Sequence, residues 1–311
     1  MVGIALYGKN GHQISATAKL RGARICGSYQ FKEPGIKQYQ TERELIEDAD
    51  VTLVSVCDAI RAEQGKTIYR LLDEGKDVYA EKPLAMSAQE VEKLYTFARE
   101  RGRFLGEMSD TVFQEPYLKM RSLIAEGVIG RVIQVHVQKS YPYRDWRPQN
   151  EDVDGGLIRQ CAIHAVRIIE QGVGLKIERW RGFETSLGNP VKGGGLQMAA
   201  SLLFYTNSGA VCSVDANYLN PDGNHFWSHE YVNVFGESGT IEADVERCAL
   251  TLVDHYEKKF LQCAPSEKTF YLQKVINYLN GEGDRPLTVQ QEIRPAIIVS
   301  KLKDEAERES F

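Results

Sequence analysis

The sequence predicts an α/β protein of two domains. Residues 1–110 form a doubly wound parallel sheet, and residues 111–311 form a C-terminal α/β domain with an open, largely antiparallel sheet. Three observations carry this. Short apolar runs alternate with amphipathic segments up to about residue 108, the pattern of βαβ units. Beyond that point several strand-like runs follow one another directly, which calls for an antiparallel or mixed sheet. The 311 residues, 42% hydrophobic and 26% charged, hold enough apolar material for two cores.

The strands of the first domain read as residues 2–7, 23–28, 51–57, 77–80 and 103–108. The stretch 51–56, Val-Thr-Leu-Val-Ser-Val, is almost continuously apolar or β-branched, as a strand covered on both faces must be, and belongs in the middle of the sheet. Thr41-x-x-Glu44 and Ser87-x-x-Glu90 are capping boxes, each satisfying two orphan backbone donors. The second opens a helix with Val91, Leu94, Tyr95 and Ala98 on one face and Gly102 as its left-handed stop, and Gly75 ends the preceding helix in the same way. The second domain reads as helices at 114–126 and 157–171, strands at 131–141, 176–185, 196–205, 210–217, 230–235 and 240–245, and closing helices at 270–279 and 292–307.

A formal net charge of -5 argues against a nucleic-acid partner, because neutralising phosphates takes clustered Lys and Arg. A small molecule is the expected partner. No apolar stretch approaches the ~18 residues of a membrane-spanning helix, and residues 1–7 lack the basic start of a signal peptide. The six cysteines are scattered with no Cys-x-x-Cys pair, which suits a reducing cytoplasm. His225 and His229 are four apart but lie in a turn-rich loop with no third ligand evident, so no metal is expected.

The turn after the first strand reads Leu6-Tyr7-Gly8-Lys9-Asn10-Gly11-His12. Against G-x-G-x-x-G, Leu6 replaces the first glycine, while Gly8 and Gly11 fill the second and third places. Gly8 would let the backbone approach a pyrophosphate, Gly11 would let a following helix pack on the strand, and that helix would turn its free N–H groups to the phosphates. The same residues also suit an ordinary strand-to-helix turn. Near the end of the second strand, residues 26–30 hold no carboxylate for a ribose 2'-hydroxyl, and Ser28 and Lys32 would tolerate a 2'-phosphate, a lean toward NADP over NAD. The run Glu81-Lys82-Pro83 follows a strand and precedes a capped helix, which puts Lys82 at the carboxyl end of the sheet, where open α/β sheets bind ligands. An ammonium there would stabilise a developing alkoxide. By itself it reads rather as a surface lysine before a proline turn.

The glycine turn, the run Glu74-Gly75-Lys76-Asp77-Val78-Tyr79-Ala80-Glu81-Lys82-Pro83-Leu84-Ala85, the Gly127-Val128-Ile129-Gly130 turn and Phe235-Gly236-Glu237-Ser238-Gly239 occur in the order that resembles the glucose-fructose oxidoreductase/inositol dehydrogenase family (Gfo/Idh/MocA). The resemblance covers essentially the whole chain, with Glu-Lys-Pro its most specific element. It implies an N-terminal Rossmann domain that binds NAD(P), a C-terminal domain whose sheet makes a homodimer or homotetramer, a site between them, and hydride transfer to or from a sugar, polyol or related carbonyl compound. The cofactor-binding set it suggests is Tyr7, Gly8, Asn10, Gly11, Ser28, Cys57, Asp58, Arg61 and Glu81.

The chain departs from the family pattern in places. Where the family carries an Asp four residues before a helical His, this sequence has Gln160 before His164. Gln hydrogen-bonds a hydroxyl but takes up no proton at neutral pH. Either His164 and Lys82 handle the proton together or alcohol oxidation is weakened or lost. Cys57-Asp58-Ala59-Ile60-Arg61 replaces a Pro, Asn and His pattern; Asp58 and Arg61 either line the nicotinamide end or form an exposed pair. Tyr141, Arg144, Trp146 and Arg147, in an aromatic and charged loop before the Gln160/His164 helix, are the expected substrate contacts, with packing of a sheet edge or a subunit interface as the alternative for the aromatics. Two other readings stay open: a catalytically silent NAD(P)-binding sensor, and an NAD-dependent glycoside-cleaving enzyme.

Overall fold

The computed structural model describes residues 1–108, 110–267 and 269–309. The chain divides into two compact units: Met1–Ser109 with Asp152–Gly155 and Thr269–Ile297, and Asp110–Glu151 with Gly156–Lys268 and Ile298–Phe311.

In the first unit, β1 (Val2–Tyr7), β2 (Ala23–Tyr29), β3 (Lys37–Gln38), β4 (Leu53–Val56), β5 (Asp77–Ala80) and β6 (Leu105–Glu107) form one all-parallel sheet in the order β3-β2-β1-β4-β5-β6. The order reverses at β1, so the carboxyl ends of β1 and β4 flank a switch point, where such sheets leave a ligand crevice. Every residue of β1 and β4 is buried, as their near-continuous apolar sequence requires. The short edge strand β3 has no sequence signal of its own. Helices α1 (Glu42–Glu47), α2 (Arg61–Asp73) and α3 (Ala88–Glu100) start and stop as their caps dictate: Thr41 and Ser87 accept the N–H groups of Glu44 and Glu90, and Gly75 and Gly102 have φ of 77° and 62°. The apolar face of α3 buries Val91, Leu94, Tyr95 and Ala98.

The helix expected after Gly11 is not formed. Residues 9–22 run as turns and bends, and of these only Ile14 is buried. A helix there would have no apolar stripe to set against the sheet. Gly8 and Gly11, at φ 67° and 123°, also leave the helical region.

The second unit is built on a nine-stranded sheet of β7 (Val132–Ser140), β8 (Ile177–Thr185), β9 (Ala199–Thr206), β10 (Val211–Asn217), β11 (His229–Gly236), β12 (Gly239–Asp244), β13 (Ala249–Asp254), β14 (Lys258–Gln262) and β15 (Glu307–Glu309). Its order is β14-β13-β12-β11-β7-β10-β9-β8-β15, antiparallel except where β7 pairs with β10 and β8 with β15. Residues alternate: Val135, Val137, Cys212, Val214, Val232 and Val234 face inward, while Leu203, Val211 and Phe235 face out. The hairpin β13–β14 was not expected. Helix α4 (Tyr117–Ala125) begins later than residue 114 because Pro116 sits at its N-cap and disfavours helical backbone before it. Residues 158–173 are helical throughout, with π-helical turns at Ile158–Ala162 and Ile168–Val173 flanking α5 (Ile163–Arg167).

Helix α6 (Phe270–Leu279) returns the chain to the first unit, where Tyr271 and Tyr278 meet Tyr79 and Phe104 at ring separations of 6.4 and 6.0 Å. The last helix, α7 (Val289–Glu305), ends two residues short of the expected 307. Its buried positions Ile298, Val299 and Leu302 stop there, and the backbone of Glu307–Glu309 pairs instead with the free edge of β8.

Candidate active site

In the first unit, side chains hold the backbone around the switch point. Gly8 donates its N–H to Tyr29 O, and a Cβ on it would strike the Cys57 carbonyl, so only glycine lets the turn pass β4 so closely. Asn10 donates from its backbone to Cys57 O at 3.1 Å and from its amide to Ala59 O and Val153 O at 3.0 and 2.9 Å. The Gln13 amide reaches Tyr7 O, Gly8 O and Ser55 O at 3.2, 2.9 and 3.1 Å, stitching the ends of β1 and β4.

Glu81 and Lys82 leave the end of β5, and both are buried. The Glu81 carboxylate accepts the Lys82 N–H at 2.9 Å, the backbone N–H of His12, and the His12 ring at 2.9 Å. Burial pushes this carboxyl up, but the His12 hydrogen bond and the charges of His12, Lys82 and Arg61 outweigh it and hold the pKa at about 2. Gln64, fully buried in α2, donates to the carbonyls of Glu81, Pro83 and Leu84 at 2.7, 3.1 and 3.4 Å, and Glu107 accepts the Leu84 N–H at 2.7 Å. The backbone on both sides of Lys82 is thereby fixed. The Gln64 carbonyl accepts in turn from Arg61, whose guanidinium also donates to Asn10 O at 2.6 Å.

The other residues named for the cofactor divide. Asp58 and Arg61 are buried, at 8% and 2% exposure, which removes the exposed-pair reading; Asp58 accepts from Thr67 at 2.7 Å. Cys57 is fully buried, and desolvation pushes its thiol well above the ordinary range. Tyr7 gives its hydroxyl to Glu42 at 2.8 Å. Ser28 is fully buried and donates to Phe31 O at 2.9 Å, and Lys32 is exposed. Glu33, unnoticed in the sequence, pairs with Lys9 at 3.2 Å. At Gly8 and Gly11 a Cβ would strike the Cys57 carbonyl and the Glu81 carboxylate, so both glycines seat the turn against the ends of β4 and β5, where sheets of this order take a dinucleotide. No helix N-terminus stands there, and the N–H groups of Gly8, Asn10 and His12 are given to Tyr29 O, Cys57 O and the Glu81 carboxylate.

In the second unit, His164 on α5 shares a hydrogen bond of 2.8 Å between its Nδ1 and the Thr111 hydroxyl. Tyr141 stands edge-on to its ring, with centroids 6.4 Å apart at 81°. Gln160 accepts from Tyr218 at 3.3 Å, and the Arg147 guanidinium lies 3.8 Å over the Tyr218 ring. Arg147 is buried, Arg144 bonds Asp222 at 2.6 Å, and Trp146, 67% exposed, stacks on Trp227. Behind Tyr141, Lys139 lies 4.9 Å from its ring and pairs with Glu230, which also accepts from Tyr117 and Ser228. Burial pushes Glu230 up, but Lys139 and these hydrogen bonds outweigh it and hold it below the usual carboxylate range.

Residues 9–108 match the family model described as an oxidoreductase family with an NAD-binding Rossmann fold, and residues 117–242 match the GFO/IDH/MocA C-terminal domain. A 1,5-anhydro-D-fructose reductase from Ensifer adhaerens is 32% identical over 143 residues, 44% of this chain and 43% of that enzyme, so the match spans less than half of the relative's length. A trans-1,2-dihydrobenzene-1,2-diol dehydrogenase from Sus scrofa is 28% identical over 297 residues, 90% of this chain and 79% of its own. An aldose-aldose oxidoreductase from Caulobacter crescentus, solved with glycerol, superposes with a TM-score of 0.81 at 18% identity, over 98% of this chain and 97% of that one. No helix among the described residues is long and apolar enough to cross a membrane.

Proposed function

Because the chain belongs to the Gfo/Idh/MocA family, we propose that it is an NAD(P)-dependent oxidoreductase that moves hydride to or from a carbon of a sugar, polyol or related carbonyl compound. One observation carries this reading: Lys82 is a buried cation at the carboxyl end of β5 whose flanking backbone is fixed by Glu81, Gln64 and Glu107. The nicotinamide, when bound, supplies or accepts the hydride. Lys82 holds the reacting oxygen, and its charge stabilises the alkoxide character that develops in either direction. His164 exchanges the proton, in an orientation set by Thr111. Gln160 orients a neighbouring hydroxyl, and Tyr141, Arg144, Trp146 and Arg147 select the substrate. A sugar-like class is supported by the relatives, whose names carry an anhydrofructose and a cyclic diol.

Gly8, Asn10 and Gly11 flank the cofactor phosphates in this reading, and Asp58 and Arg61 shape the nicotinamide end. Exposed Lys32 favours NADP. A second copy of the chain covers the outer face of the nine-stranded sheet, where Phe183, Leu203, Val211 and Phe235 are exposed, giving a dimer or tetramer. The six free thiols suit the cytoplasm.

Lys82→Met should lower turnover by about a hundredfold or more while NADPH binding, followed by nicotinamide fluorescence, persists. Unchanged turnover would remove Lys82 from the reaction. A silent cofactor-binding sensor is the second reading, favoured by Gln160 in the place of a proton acceptor. It requires cofactor binding with no change in nicotinamide absorbance across a panel of sugars and polyols.

A further inference from the structure

We propose that the second unit carries an aromatic subsite for a second sugar ring, so that the substrate is a two-ring saccharide; this rests on the assignment of His164 above. The aromatic groups form a continuous track. From His164 it passes to Tyr141, then to Trp227 at 5.9 Å and 39°, then to Trp146, stacked on Trp227 at 5.9 Å and 9°. Exposure rises along it: His164 and Tyr141 are 8% and 6% exposed, Trp227 45% and Trp146 67%. The inner end is packed, and the outer end offers flat apolar surface to whatever approaches.

A polar row accompanies the track and returns to the same helix. The guanidinium of Arg147 lies 5.6 Å from the Trp146 ring and 3.8 Å from the Tyr218 ring, and Tyr218 donates to Gln160. At the rim Arg144 and Asp222 form an ion pair. A pyranose has this dual character: its C–H face lies against an aromatic plane, and its hydroxyl edge takes guanidinium, amide and carboxylate partners. A purely apolar occupant would leave the polar row without purpose. Trp146 stands three ring-to-ring steps from His164, with Tyr141 and Trp227 between them, so a sugar ring at the imidazole leaves Trp146 to a second ring on a glycosidic bond.

Two of the three tryptophans lie on this track, so intrinsic emission reports on it without turnover. The full-length protein is titrated with D-glucose, cellobiose and maltose. At least one disaccharide should change the emission with an affinity about two- to tenfold tighter than glucose, the worth of one stacked ring. Trp146→Ala should bring that ratio close to one, and Trp146→Phe should retain part of it, with circular dichroism confirming that both variants fold. Equal affinity for one- and two-ring sugars, or an undiminished ratio in Trp146→Ala, would overturn the subsite. So would emission that follows protein concentration and ignores sugar, because the indoles would then belong to an interface between copies. Disaccharide-specific quenching with no turnover on any sugar would support the subsite and sink the hydride-transfer reading.

Discussion

The surroundings of Lys82 and of His164 are both buried and polar, yet they are built in opposite ways. Around Lys82, side chains hold backbone: Gln13, Gln64, Glu81 and Glu107 all bond main-chain groups of loops at strand ends. Around His164, side chains hold side chains: Thr111 meets the imidazole, Tyr218 meets Gln160, and Lys139 meets Glu230. The reason lies in the elements. A loop leaves its N–H and C=O groups unmade, and buried ones have to be satisfied from elsewhere, whereas the helix of Gln160 and His164 and the strands of Lys139 and Glu230 pair their own backbone and leave polar side chains to orient one another. Damage near Lys82 should therefore strike stability and geometry together, while damage near His164 should strike chemistry first.

The sharpest way to break that contrast is Gln64→Leu. The volume is nearly kept, but the carbonyls of Glu81 and Pro83 and the Arg61 guanidinium each lose a partner in a fully buried place. Such groups cost about 1–3 kcal/mol apiece, so urea denaturation should show a loss of about 3–5 kcal/mol, accompanied by a fall in turnover. A loss below about 1 kcal/mol would mean that the loop around Lys82 does not depend on this clamp.

Glu81 gives the next effect, and its sign is set by the direction of its shift. Its carboxyl is depressed from 4.5 to about 2 in the folded protein. The stability this contributes is fully present above pH 4.5 and is lost as the pH falls through about 2. It amounts to something on the order of 3 kcal/mol. The gap in unfolding free energy between the wild type and Glu81→Gln should therefore be widest near neutrality and narrow steadily below pH 4.5. A gap that does not change with acid would show that the carboxylate charge plays no part in holding the turn at His12.

The same contrast explains what was legible in the sequence. Strands β1 and β5 and helix α6 stand at the expected residues, because a buried strand and an amphipathic helix write their burial into consecutive positions. The stretch 9–22 misled because a glycine turn after a strand usually opens a helix, whereas this one lacks the apolar face to hold it. Lys82 and His164 became candidates only through the family resemblance, since a lone Glu-Lys-Pro and a lone helical His read as structural. Their supports come from far along the chain as ordinary polar residues, and Thr111, Tyr218 and Trp227 carried no signal that tied them to His164. Gln64 did carry one: it lies four and seven residues before Ile68 and Leu71, so it is a polar residue on the buried stripe of α2. Such a residue is tolerated only if fully hydrogen-bonded.

The smallest and most discriminating effect is expected from Thr111→Val. The hydroxyl bonded to Nδ1 at 2.8 Å fixes the ring orientation. Valine keeps the shape and removes only that instruction. Stability should change by no more than about 1 kcal/mol, the net worth of one hydrogen bond, while kcat falls about tenfold, the lower part of what a positioned acid–base group contributes. Thr111→Ser, which keeps the hydroxyl, should restore kcat. A variant that loses as much stability as Gln64→Leu and keeps its kcat would make Thr111 a structural residue like those around Lys82, and the two regions would then obey one rule.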